Sequence, residues 1–198
     1  GLILFTETIE KYVPPRNRRR HVLRVIRDIL FHEPRRNGTD LNLALEFLSR
    51  VVPHRAIVVV LSDFLGQTAP TRKEMSAHLR RRVIHSQTLA QASLSCLRQA
   101  NRRHDVVAVQ IIDRFELTLP NLGYLVLKDA ETGEVVEVNT GDESKRRSFA
   151  ERQERFQRDL LKIFRGAKVD SIQVRTDRPY AGALGRFFET REKRRRHG

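Results

Sequence analysis

The sequence predicts an α/β fold, a sheet of parallel strands with helices on both faces. Three observations carry that prediction. Five branched apolar residues run unbroken from Ile57 to Leu61, a second strand-like run spans His104 to Asp113, and amphipathic helical stretches alternate with them. Runs that are apolar on both faces suit parallel strands, because crossover helices cover the sheet above and below. The stretch Arg55 to Leu65 is therefore expected to be a fully buried, central strand.

The other elements follow in chain order. Leu2 to Phe5 and Thr8 to Val13 read as a hairpin whose second strand lies at an edge, stopped by Pro14-Pro15. From Arg16 to Phe31, Val22, Leu23, Ile26, Ile29 and Leu30 fall on one helical face. Pro34 ends that helix. A second helix buries Leu41, Ala44, Leu45, Leu48, Val51 and Val52, with Thr39 or Asp40 available to cap it. Gly66 to Gln87 is polar with weak periodicity and reads as an insertion-like loop with a marginal helix. Leu89 to Arg103 is a clearer helix, carrying Leu89, Ala92, Ser93, Cys96 and Ala100 along one side. Gly123 to Leu127 and Val135 to Asn139 form a hairpin around a glycine-containing loop. A long charged helix begins at Asp142 and is expected to end at Gly166 as its C-cap. A last strand from Lys168 to Val174 and a helix through Tyr180, Leu184 and Phe187 complete the fold, followed by a basic tail at 191–198.

With 198 residues and a 39% hydrophobic fraction, a single globular domain over 1–190 is expected. No stretch reaches the roughly 20 apolar residues of a membrane span. One cysteine, Cys96, precludes an internal disulfide, and the seven histidines show no zinc-type spacing. The chain opens in strand-like sequence at Gly1 and reads as cut from something longer. Formal net charge is +14. That surplus favours a polyanionic partner in general terms, and arginine runs such as Arg16 to Arg36 are more often solvated helix faces than binding sites.

Candidate functional residues sit where parallel strands end, since ligand crevices in open α/β sheets lie at the carboxyl edge. Asp63 leads; its simpler reading is a turn residue. Asp113 is a second strand-end acid, for which a turn role is the better expectation.

At this point three stretches matter together: GTDL at Gly38 to Leu41, LSDF at Leu61 to Phe64, and the opening GLILFTETIEKYVPP. They resemble von Willebrand factor A-type domains. RRHVLRVI at Arg19 to Ile26, RRHDVVAVQIID at Arg102 to Asp113 and DAETGE at Asp129 to Glu134 resemble, more closely, the bacterial domain of unknown function family 58. The resemblance implies a three-layer, Rossmann-like sheet with helices on both faces and an edge hairpin, its first strand missing. It also implies a metal-ion-dependent adhesion site, in which Thr39 and Asp63 supply hard oxygen ligands to magnesium. The Asp-x-Ser-x-Ser motif of such sites is not in this chain, so the site is expected to be incomplete here and whole in the parent. The implied function is non-catalytic: an adaptor that captures a carboxylate from a protein partner, a MoxR-type AAA+ ATPase, in the cytoplasm, with membrane tethering of the parent left open. Two rivals come from other classes. One is a basic nucleic-acid-binding protein, for which no zinc finger, KH-type loop or RNP-like strand is present. The other is a metal-dependent hydrolase using Asp63 and Asp113, for which no Walker loop or D-x-D is present.

Overall fold

The computed structural model describes residues 1–36, 38–65, 94–128 and 135–196. They fall into two compact units: Gly1–Arg55 with Val126–Glu137, and Ala56–Leu125 with Val138–Gly198. The insertion-like stretch Gly66 to Gln87 lies outside the described residues, as do Leu89, Ala92 and Ser93 of the helix expected there.

In the first unit, β1 (Leu2–Phe5) and β2 (Ile9–Val13) pair antiparallel. Among the described residues they make a two-stranded sheet of their own. Helix α2 (Leu41–Val51) packs on this hairpin and buries Leu41, Ala44, Leu45 and Leu48, the face that the period of the sequence marks. Tyr12 meets Phe47 edge-on at 5.5 Å between ring centroids. Helix α1 (Arg19–Leu30) behaves differently: Asp28 is its one buried residue.

The second unit is built on a parallel sheet of order β3-β4-β7, namely β3 (Ile57–Ser62), β4 (Asp105–Ile112) and β7 (Asp170–Arg175). The expectation of a fully buried, central β3 is corrected. Among the described residues β4 is central, with Val106, Val107 and Ala108 wholly buried. Strand β3 lies at the edge: Ile57, Val59 and Leu61 on one pleat face are exposed, and Val60 on the other is buried. An unbroken apolar run cannot distinguish a strand covered on both faces from one covered on a single face.

Flanking the sheet are α3 (94–103), the single turn α4 (Arg114–Leu117), α5 (Glu143–Ala167) and α6 (Ala181–Arg196). Strands β5 (Tyr124–Lys128) and β6 (Val135–Asn139) pair with each other. Helix α5 ends two residues later than expected, with Lys168 and not Gly166 as its C-cap, at φ 57°. Gly166 is instead a helical residue; a Cβ there would stand 3.4 Å from Leu94 of α3, so its small size serves close packing. The stretch from Arg191 continues α6 through Arg196. Arg191 pairs with Asp105 and Asp170, the first residues of β4 and β7.

Candidate functional site

Because β3, β4 and β7 are parallel, their last residues share one edge of the sheet. Asp63 stands there, exposed, one residue past β3. Its carboxylate Oδ1 accepts the Leu65 N–H at 3.0 Å, and the Phe64 N–H donates to the Ser62 hydroxyl at 3.0 Å. These two bonds fold the chain back at the strand end. Between them Phe64 takes a left-handed φ of 58°, a conformation that costs a non-glycine residue about 1–2 kcal/mol. What offsets the cost is burial of the ring, worth roughly 1.5–3 kcal/mol: Phe64 is buried and meets Phe164 of α5 edge-on at 5.0 Å.

A second constraint arrives from the buried centre of the sheet. Gln110 on β4 donates Nε2 to the Asp63 carbonyl at 3.3 Å, and its Oε1 accepts from Gln173 of β7 at 3.0 Å. Gln173 also donates to Gln157 of α5 at 2.9 Å. This amide chain ties the backbone that carries Asp63 to both other strands' neighbourhood, and it leaves the Asp63 side chain on the surface.

At the end of β4, Asp113 is the N-cap of α4 in a reciprocal capping box with Glu116. Its other carboxylate oxygen accepts the Thr176 hydroxyl at 2.9 Å. Burial raises the pKa of Glu116, against the hydrogen bond from the Asp113 N–H, and the charges of Asp63 and Asp113 add to the rise. Glu116 thus feels both strand-end carboxylates at this edge. After β7, Arg175 clamps Asp177 through two hydrogen bonds and holds its pKa low. Glu116, Gln110 and Thr176 escaped the sequence reading. For Gln110 the signal was present, a lone amide inside a buried apolar run.

Thr39 belongs to the first unit and is described there alone. It is exposed in the loop before α2. The cap of that helix is Asp40, whose Oδ1 accepts the Leu43 N–H at 3.0 Å; Asp40 also donates its own N–H to Thr6 O at 2.9 Å. The same loop is fastened to the β1–β2 turn. Glu10 accepts hydrogen bonds from Thr6, His32 and the Arg35 N–H, and these outweigh the opposing effect of burial, so its pKa is lowered. Glu7 pairs with Arg36 at 2.7 Å.

The oxygens near Asp63 are of the hard kind that magnesium takes. Their number is short: among the described residues no group of three or more His, Cys, Asp or Glu gathers to hold a metal ion. The residues described here fit the ion in kind and do not by themselves enclose it.

A family model described as a protein of unknown function, DUF58, matches residues 1–159. Uncharacterized proteins of Mycobacterium tuberculosis and Mycobacterium bovis are each 29% identical over 183 residues, covering 91% of this chain and 50% of theirs. An uncharacterized protein of Mycobacterium avium is 29% identical over 154 residues, covering 78% of this chain and 77% of its own length. The chain spans about half the length of the first of these curated relatives. No solved structure matches it at a significant level.

Proposed function

Because this chain belongs to the DUF58 family of proteins of unknown function, we propose that it is part of a non-catalytic adaptor domain that binds a protein partner through magnesium, with Asp63 as its anchor. The observation that carries this reading is the placement of Asp63: an exposed carboxylate at the carboxyl edge of a parallel sheet, on a strained turn held by Gln110. Backbone strain kept beside a solvent-facing acid is a common mark of a binding site. When bound, magnesium would present an open position to a carboxylate of the partner. Asp63 supplies one oxygen ligand and the Ser62 hydroxyl, 3.4 Å from its Oδ1, lies beside it. The part assigned to Thr39 rests on sequence resemblance, as does the partner, a MoxR-type AAA+ ATPase acting in complex assembly. Remaining ligands are assigned to the longer protein.

The test is capture of the ATPase by the longer protein with magnesium or with chelator, for the unaltered protein and for Asp63→Asn and Thr39→Val. Each substitution is expected to weaken magnesium binding about tenfold or more and to abolish magnesium-dependent capture while the circular dichroism spectrum stays unchanged. Capture that ignores both chelator and substitutions would end the reading.

A further inference from the structure

Three helical arginines of this protein are set against an acid one turn away: Arg50 with Glu46, Arg147 with Glu151 and Arg158 with Glu154. The start of α1 is arranged differently. An open pocket of about 570 Å³ there is lined by Arg16, Asn17, Arg18, Arg20, His21 and Arg24, so that guanidinium groups dominate its wall and no acid belongs to it. Among the described residues Arg16, Arg18 and Arg20 make no ion pair, while Arg24 reaches Asp28 at 3.6 Å. That aspartate is already held by Lys11 of β2 at 3.2 Å. Arg20 and Arg24 stand one turn apart on the face of α1 that carries Asp28, and like charges at that spacing repel.

His21 supplies the second observation. Its Nε2 is shut off from solvent and has no hydrogen-bond partner. Burial first, then positive charges that include Arg16 and Arg24, hold its pKa low. A negative group in the hollow would reverse the charge balance around this ring and offer its nitrogen an acceptor.

We propose that the pocket is a binding site for a small, multiply charged phosphate compound, one bearing a diphosphate or a terminal phosphoryl group. Arg16, Arg18 and Arg20 are its principal contacts, Arg24 is shared with Asp28, and Asn17 and His21 add hydrogen bonds. Charge density selects this class. A guanidinium is a planar fork that takes two oxygens of one anion, and a carboxylate has only two to offer. A terminal phosphoryl group offers three around one centre and carries about 1.5 to 2 negative charges. Nucleic acid spreads single charges about 3.4 Å apart along each strand, whereas these arginines line one hollow within residues 16–24. The volume suits a small molecule, whose sites span roughly 300–1,000 Å³. The exposed apolar arc of α1 lies opposite this face and takes no part. This inference is independent of the metal site.

The test titrates the full chain with inorganic pyrophosphate at physiological ionic strength, with no divalent cation added. Calorimetry should show saturable binding, and nuclear magnetic resonance should show the His21 ring signals moving with occupancy while those of His54, exposed in the loop before β3, stay still. Arg18→Gln and Arg20→Gln should each weaken binding about tenfold, and Arg50→Gln on α2 should leave it unchanged, with circular dichroism constant throughout. No saturable binding, a still His21 ring, or binding indifferent to the pocket substitutions would overturn the proposal. So would citrate binding as tightly as pyrophosphate, or duplex DNA moving the His21 signals at lower concentration than pyrophosphate does. Where an arginine variant fails to fold, the His21 titration of the unaltered chain decides.

Discussion

Helices α1 and α5 carry the same kind of sequence pattern and meet opposite fates. In the second unit α5 buries Leu160, Phe164 and Ala167; in the first, α1 buries an aspartate and exposes its apolar arc. Amphipathic periodicity establishes that a helix has a face. It does not say what that face meets. For α5 the partners are sheet residues and Phe64, and the contact is ordinary core packing. For α1 the stabilising contact within its own unit is ionic: burial alone would raise the pKa of Asp28, and Lys11, Arg27 and Arg24 together lower it.

The sharpest way to break this contrast is to truncate both faces. Phe164→Ala should lower stability by about 3–5 kcal/mol, because Phe164 is 1% exposed and packs edge-on against Phe64. Leu23→Ala on α1, where the side chain is 56% exposed, should change it by less than about 0.5 kcal/mol. Urea denaturation of the two variants measures both. A Leu23→Ala cost that approaches that of Phe164→Ala would mean that the α1 arc is covered in solution and the contrast is void.

Acid should act on both units next, through different histidines. His104 is wholly buried just before β4, and neither ring nitrogen is bonded among the described residues. Burial, then the charge of Arg103, lowers its pKa, so the unfolded chain takes up the proton first as pH falls. The stability that neutral His104 supports is present above about pH 6.5 and is lost progressively below it. In the first unit Glu10 and Asp28 have lowered pKa values. Their contribution is present above the ordinary carboxylate range and is lost only as pH falls through their folded values. His21 in the first unit is lowered in the same way, by burial first and then by nearby positive charge, so mildly acidic buffer should cost both units hydrogen-exchange protection, and His104→Leu should remove the loss in the second unit alone. A loss in the second unit that the substitution leaves unaffected would refute the assignment.

Much of this was legible in the sequence and the remainder has physical reasons. The α/β class, the helix of Leu41 to Val51 and the strand-end position of Asp63 follow from period and composition, and the resemblance to the DUF58 family is borne out over residues 1–159. The run Ile57 to Leu61 misled because branched apolar residues suit an edge strand and a central strand alike; the neighbours in the sheet decide, and they are remote in sequence. Gly166 misled because glycine serves close packing as readily as it serves a helix end. The support of Asp63 by Gln110 joins residues 47 apart, and its partner Gln173 is 63 further on. No local pattern reports a contact of that kind. The role of Arg191 was hidden in the same way, since a half-buried ion pair with Asp105 and Asp170 looks in sequence like the start of a basic tail.

The smallest expected effects come from adjacent residues in one loop, Thr39 and Asp40, and they separate a structural role from a functional one. Either could have capped α2 by its chemistry. Asp40 does so, through its Oδ1 and the Leu43 N–H, so Asp40→Ala should cost about 1 kcal/mol. Thr39 is exposed and is not the cap residue. Thr39→Val keeps the volume and removes the hydroxyl of an exposed residue, and it should cost less than Asp40→Ala does. Paired urea titrations of the two variants give the comparison directly. Equal costs would make Thr39 a second structural tie of the loop and remove the reason to look for a ligand there. A cost at Asp40 alone, with Thr39→Val neutral in stability and impaired in magnesium-dependent capture, would assign the hydroxyl to binding.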